Sequence, residues 1–168
     1  MDYICGMLPE TTTLFILDGF RSAYNVGSVF RTAEALFPSA VFPCGISARP
    51  GGRKVGRTSR GSHSLVPWRW FSTAFDAGCW ALGAGFRLYV VENSPGAVPL
   101  QVVEFPTMTA VVFGNEAEGV SREVLSIASS VVRIPQTGER HCVNVASAAA
   151  MVGWEIQRRR ISVCNPDS

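Results

Sequence analysis

The sequence predicts an α/β fold: a mostly parallel sheet with helices on both faces. Three observations carry this expectation. Short, continuously apolar runs alternate with helical stretches along the whole chain. The runs are of the length and kind that buried parallel strands require, and several end at Gly or Asp, where a strand would enter a loop. Finally, 47% of the residues are apolar and only 17% charged, a balance that suits a well-buried core and excludes a disordered or fibrous chain. A length of 168 residues suits a single domain over 1–168, with only the tail from about Ile161 expected to fray.

Leu14 to Leu17 is the first such run, and it closes at Asp18-Gly19. A helix is expected from about Val26 to Leu36. Ala40 to Cys44, Leu88 to Val91, Thr109 to Phe113 and Val131 to Ile134 read as further strands. Helical stretches near Thr73 to Leu82, Ser121 to Ser129 and Val145 to Arg159 separate or follow them. The last of these begins with small residues, Ala146 to Ala150, which permit close approach by another element. It ends in Arg158, Arg159 and Arg160, which suit the negative end of a helix dipole. Its two readings are an ordinary core helix and a helix packed on a second subunit.

A formal charge of +2 does not by itself point to nucleic acid, so the distribution of charge matters more. Arg49, Arg53, Lys54, Arg57 and Arg60 fall in one Gly-containing stretch without an acid. As a loop, this stretch is either a solvated surface or a dense positive field for phosphates. The five cysteines are scattered and include no Cys-x-x-Cys pair, which argues against a disulfide framework or a zinc site and for a reducing, cytoplasmic setting. No apolar stretch approaches the roughly 20 residues needed to span a bilayer, and Met1 to Glu10 has no basic leader pattern.

Three segments can carry chemistry. In Asn25-Val26-Gly27-Ser28-Val29-Phe30-Arg31-Thr32-Ala33, Asn25 stands where a loop becomes a helix and can cap it. Arg31 lies nearly two turns further on, so the two face one end of a cleft only if the backbone bends. The second segment runs from Val111 to Ser121, where a buried strand opens into a Gly-rich turn carrying Glu116 and Glu118. The third runs from Ile134 to Ala146 and places Cys142 and Asn144 at the start of the alanine-rich helix. A thiol there can be acidified by the helix, but no His and Asp arrangement supports nucleophilic catalysis.

In this order and spacing, the three segments resemble the signature motifs of the SpoU (TrmH) class of SPOUT methyltransferases, from about Leu14 to Gln157. Asn-x-Gly-x-x-x-Arg-Thr-Ala is the most diagnostic piece. The resemblance implies a deep C-terminal trefoil knot, a homodimer with the last helix and first motif at its interface, and an RNA substrate, tRNA or ribosomal RNA. It implies S-adenosylmethionine as methyl donor, without a metal, held by Gly114, Ile134, Gln136, Val143 and Asn144. Asn25 and Arg31 match the pair placed at the target ribose and Glu116 and Asn144 the family's polar positions in the second and third motifs, so the resemblance implies a catalytic role for all four. Arg31 is the leading catalytic candidate, holding the target phosphate and stabilising the emerging 2′-alkoxide. Two departures stand out: the family commonly has Ser where Cys142 stands and an apolar residue where Gln136 stands.

Without the additional N-terminal RNA-binding domain of some relatives, recognition is expected to rest on Arg21, Arg53, Lys54, Arg57, Arg60 and His63. Trp68 and Trp70 are either stacking surfaces or buried. The alternative from another class is a noncatalytic RNA-binding dimer; base methylation is a third reading, disfavoured by the Asn25 to Arg31 motif.

Overall fold

The computed structural model describes residues 12–115, 117–139 and 143–164, with side chains up to residue 161. Its frame is a six-stranded sheet in the order β2-β1-β5-β3-β6-β4, with every neighbouring pair parallel. The strands are β1 (Thr13–Asp18), β2 (Ser39–Cys44), β3 (Arg87–Val91), β4 (Val98–Pro99), β5 (Thr109–Phe113) and β6 (Ser130–Arg133). The helices are α1 (Ala23–Ala35), α2 (Arg53–Ser59), α3 (Ala74–Gly83), α4 (Arg122–Ile127) and α5 (Val145–Cys164).

The apolar runs of β1, β2, β3 and β5 are continuous because these strands are covered on both faces. In β1, Phe15 and Leu17 join a core with α1 and α5, whereas Leu14 and Ile16 join a second core with α3 and α4. The two-residue period of a strand sends alternate side chains to opposite faces, so both sets must be apolar. All four side chains are fully buried, each contributing about 1.5–3 kcal/mol of transfer free energy. The register aligns Leu14 with Ala40 on one side and Ala110 on the other, continuing the α3/α4 core across three strands.

Hydroxyl and amide side chains set the helix starts. Ser22, Thr73 and Ser121 cap α1, α3 and α4 through bonds accepted from Asn25 N, Asp76 N and Val124 N. The cap of α1 is therefore Ser22, and Asn25 lies inside the first turn rather than at its boundary. Helix α5 continues to Cys164, beyond the expected end at Arg159 and through the expected start of fraying. The three arginines are accordingly not at its terminus. Arg158 and Arg159 pair with Glu155 at 2.8 and 2.7 Å. Arg160 donates to Thr12 Oγ1, Thr13 Oγ1 and the carbonyls of Thr12 and Thr107, tying α5 to the entrances of β1 and β5.

The basic stretch expected as a loop contains helix α2. Val55 and Ser59 turn inward and are buried, while Arg53, Lys54, Arg57 and Arg60 stay exposed. Helices α1 and α2 approach so closely that a Cβ on Gly27 would lie 2.0 Å from Thr58 Oγ1. Thr58 Oγ1 itself donates to the Ala23 carbonyl at 2.8 Å. Of the two candidate stacking residues, Trp68 packs against the α1/α5 core, and the Arg49 guanidinium covers the Trp70 ring at 4.2 Å from its centroid. The C-terminal segment in which a trefoil knot is expected includes Arg140, His141 and Cys142, which lie outside the described residues.

Candidate active site

Loops leaving β3, β5 and β6 meet at the carboxyl edge of the sheet and enclose a pocket. Its apolar walls include Val91, Phe113, Ile134, Val143, Val145 and Ala148, and its polar rim is Glu92, Asn93, Asn115 and Gln136. Gly114 and Gly119 also line it. The sequence-predicted residues Gly114, Ile134, Gln136 and Val143 are thus brought together from two loops separated by a helix and a strand. Glu116 lies outside the described residues.

The turn after β5 is shaped from within. Asn115 Oδ1 accepts bonds from Ala117 N and Glu118 N, both at 2.9 Å, while Gly119 N donates to the Asn115 carbonyl at 3.1 Å. A Cβ on Gly114 would sit 2.2 Å from the Gly119 carbonyl carbon, so the backbone closes this tightly only around glycine. From β3, Glu92 Oε1 accepts from Val120 N at 2.9 Å and holds the far side of the turn. Motif reading missed Glu92, Asn93 and Asn115. The available signal was position: Glu92 directly follows a buried parallel strand, the end at which ligands bind in such sheets.

Asn144 stands beside this pocket and joins it to a neighbouring groove. Its Oδ1 accepts from Ala146 N at 2.9 Å and Ser147 N at 3.3 Å, capping α5. Its Nδ2 donates to Asn25 Oδ1 at 3.3 Å. The groove runs between α1 and α5, lined by Ser28, Arg31, Thr32 and Ala35 on one wall and by Asn144, Ala146, Ser147 and Ala150 on the other. Asn25 and Arg31 are therefore related without the expected bend: α1 is continuous, and Asn144 links Asn25 to the groove that Arg31 lines.

On its other side, Arg31 lines a second cleft, with Tyr24, Ser28, Lys54, Arg57, Thr58 and Arg60. Among the described residues, no acidic side chain lines it. Among the described residues, no hydrogen bond or ion pair engages the side chains of Arg31, Lys54, Arg57 or Arg60. Arg21 and Arg53 are exposed but do not line this cleft. His63 turns back toward α2, its Nδ1 2.7 Å from Ser59 Oγ.

Asp18 lies at the carboxyl end of β1 on the opposite face. Burial raises its carboxyl pKa, partly offset by a bond from the Ser121 backbone and reinforced by the nearby Glu118 charge. Burial also pushes the Cys44 thiol far above its usual range, which removes it as a nucleophile. Among the described residues, no cluster of His, Cys, Asp and Glu suited to a metal ion is present, and no helix is long and apolar enough to cross a membrane.

Comparison with known proteins gives a consistent family. The sequence model of the SpoU rRNA methylase family matches residues 12–154. A tRNA (guanosine(18)-2'-O)-methyltransferase of Thermus thermophilus is 33% identical over 156 residues, covering 91% of this chain and 77% of that protein. The enzyme of the same name from Escherichia coli is 28% identical over 161 residues, covering 94% and 69%. Among solved structures, the AdoMet-bound rRNA methyltransferase from Sinorhizobium meliloti superposes with a TM-score of 0.82 at 27% identity, covering 89% of this chain and 57% of that one.

Proposed function

Because the chain belongs to the SpoU rRNA methylase family, we propose that it transfers a methyl group from S-adenosylmethionine to a ribose 2′-hydroxyl of tRNA or ribosomal RNA. The observation that supports this most directly is continuity. The pocket at the sheet edge adjoins Asn144, Asn144 lines the α1/α5 groove, and Arg31 joins that groove to a cationic cleft. A nucleoside cofactor, a ribose and its flanking phosphates have adjacent places.

The pocket fits the cofactor chemically. Val91, Ile134, Val143 and Val145 offer apolar walls for an adenine ring, and the Glu92 carboxylate and Asn93 and Gln136 amides offer partners for hydroxyl and amino groups. Bound there, S-adenosylmethionine supplies a methyl group already made electrophilic by its sulfonium, so the protein's tasks are alignment and proton handling. Arg31 does not act as the base, since a guanidinium has a pKa above about 12. Its role is to grip the target phosphate and stabilise negative charge developing on the ribose oxygen. Formation of the oxygen–methyl bond would break the methyl–sulfonium bond and release S-adenosylhomocysteine, and the hydroxyl proton would leave past the phosphate held by Arg31 to solvent.

Assembly as a homodimer belongs to the same reading. Met151, Trp154 and Ile161 on α5 are 46%, 54% and 47% exposed, an apolar stripe suited to a second copy.

The experiment is transfer of labelled methyl from S-adenosylmethionine to unmodified total tRNA and ribosomal RNA, followed by nucleoside analysis. A 2′-O-methylnucleoside that disappears with Arg31→Ala is expected. Cofactor binding without transfer to either pool would instead support a noncatalytic RNA-binding dimer.

A further inference from the structure

Tyr24 is 76% exposed, the highest value among the exposed large hydrophobic side chains of the described residues. It packs into neither core: the buried positions of α1 are Val26, Gly27, Val29, Phe30 and Ala33. Tyr24, Ser28 and Arg31 instead follow one another at i, i+4 and i+7, forming one stripe on the helix. Across the cleft stand Lys54, Arg57 and Arg60.

One exposed aromatic ring among four cations, with no acid among the described residues, is the composition of a surface for unpaired nucleic acid. Cationic side chains follow the backbone while the ring stacks on a base. Duplex RNA offers phosphates and 2′-hydroxyls but keeps its base faces stacked, so it would leave this ring without a partner. We propose that Tyr24 is the stacking platform for an unpaired base flanking the methylated nucleotide. This rests on the methyltransferase reading and adds a binding residue to it.

The probes are a fluorescent single-stranded oligoribonucleotide of mixed sequence and the same strand annealed to its complement, titrated with the full chain at several salt concentrations. The wild type should bind the single strand more tightly than the duplex. Tyr24→Ala should weaken single-strand binding by about 5- to 150-fold, the range for loss of one base–aromatic stack, without changing duplex affinity. Tyr24→Phe should retain most of the affinity. Tyr24→Ala should also leave the salt slope unchanged, whereas Arg57→Ala should reduce it. S-adenosylmethionine binding, unchanged in Tyr24→Ala, establishes that the variant is folded.

Equal single-strand affinity in wild type and Tyr24→Ala would overturn the proposal. So would an equal loss toward both probes, or a changed sedimentation mass that assigns Tyr24 to a contact between copies. The underlying reading fails separately: absence of methyl transfer with Tyr24-dependent single-strand binding removes the reaction and leaves the platform. Methyl transfer with no dependence of single-strand binding on Tyr24 does the reverse.

Discussion

The side-chain amide of Asn144 donates to that of Asn25 at 3.3 Å across 119 positions of sequence. The same residue's oxygen caps α5, so one side chain both begins the last helix and ties it to the first. The two functions separate by substitution. Asn144→Ala removes both and should cost about 1 kcal/mol, or roughly 2–4 °C in melting temperature for a chain of this size. Asn144→Asp keeps an acceptor for the cap but cannot donate to Asn25. It should melt close to the wild type yet turn over more slowly, as calorimetry and initial rates would show.

Arg31 lines the α1/α5 groove and the cationic cleft but not the pocket at the sheet edge proposed for the cofactor. Arg31→Lys preserves charge and loses the planar fork, so turnover should fall by at least about tenfold. Affinity for S-adenosylmethionine, measured by calorimetry, should not change. Normal turnover in Arg31→Lys would remove the proposed role of the guanidinium.

Gly27→Ala should destabilise the α1/α2 contact by about 1–3 kcal/mol, as overpacking of a tight core does. The added Cβ would lie 2.0 Å from Thr58 Oγ1 and 2.8 Å from Ser59 N. Adding Thr58→Ala should therefore restore only part of the loss in urea denaturation, because the backbone nitrogen remains.

Burial raises the Asp18 carboxyl pKa above 3.8 in the folded protein. The folded state then binds more protons than the unfolded state as pH rises from about 3.8 through the raised value, and stability falls across that window. Asp18→Asn should be more stable than the wild type at pH 7, with the advantage disappearing in acid below about pH 3.8. Urea midpoints at several pH values check this, and equal midpoints at pH 7 would contradict it.

Glu92 holds Val120 N and lines the pocket proposed for the cofactor. Glu92→Ala should reduce S-adenosylmethionine affinity by roughly 10- to 150-fold, the range for a hydrogen bond to a charged group. Glu92→Gln, which still accepts from Val120 N, should lose less, and titration calorimetry distinguishes the two.

Much of the fold was legible because its signals are local. The apolar run at β1, the helical stretch at α3 and the turn after β5 depend on side-chain period and glycine placement within a few residues. Of the positions expected to hold the cofactor, Gly114, Ile134, Gln136 and Val143 line one pocket, whereas Asn144 lies beside it in the α1/α5 groove. Helix α2 was not legible, because its inward face is little more than Val55 and Ser59 and its remaining surface is glycine and charge. Only its docking against Gly27 makes it a helix with a buried side.

By itself, then, the sequence determined the alternation of strands and helices, the burial of both sheet faces and the family motifs, since each is written in neighbouring residues. Tertiary structure alone decided the strand order, the link from Asn144 to Asn25, the arrival of Glu92 at the pocket on the sheet's carboxyl edge and the gathering of Tyr24, Arg31, Lys54, Arg57 and Arg60 around one cleft. Those relations join residues far apart in the chain, and they exist only once the packing of two cores has offset the entropy of bringing them together.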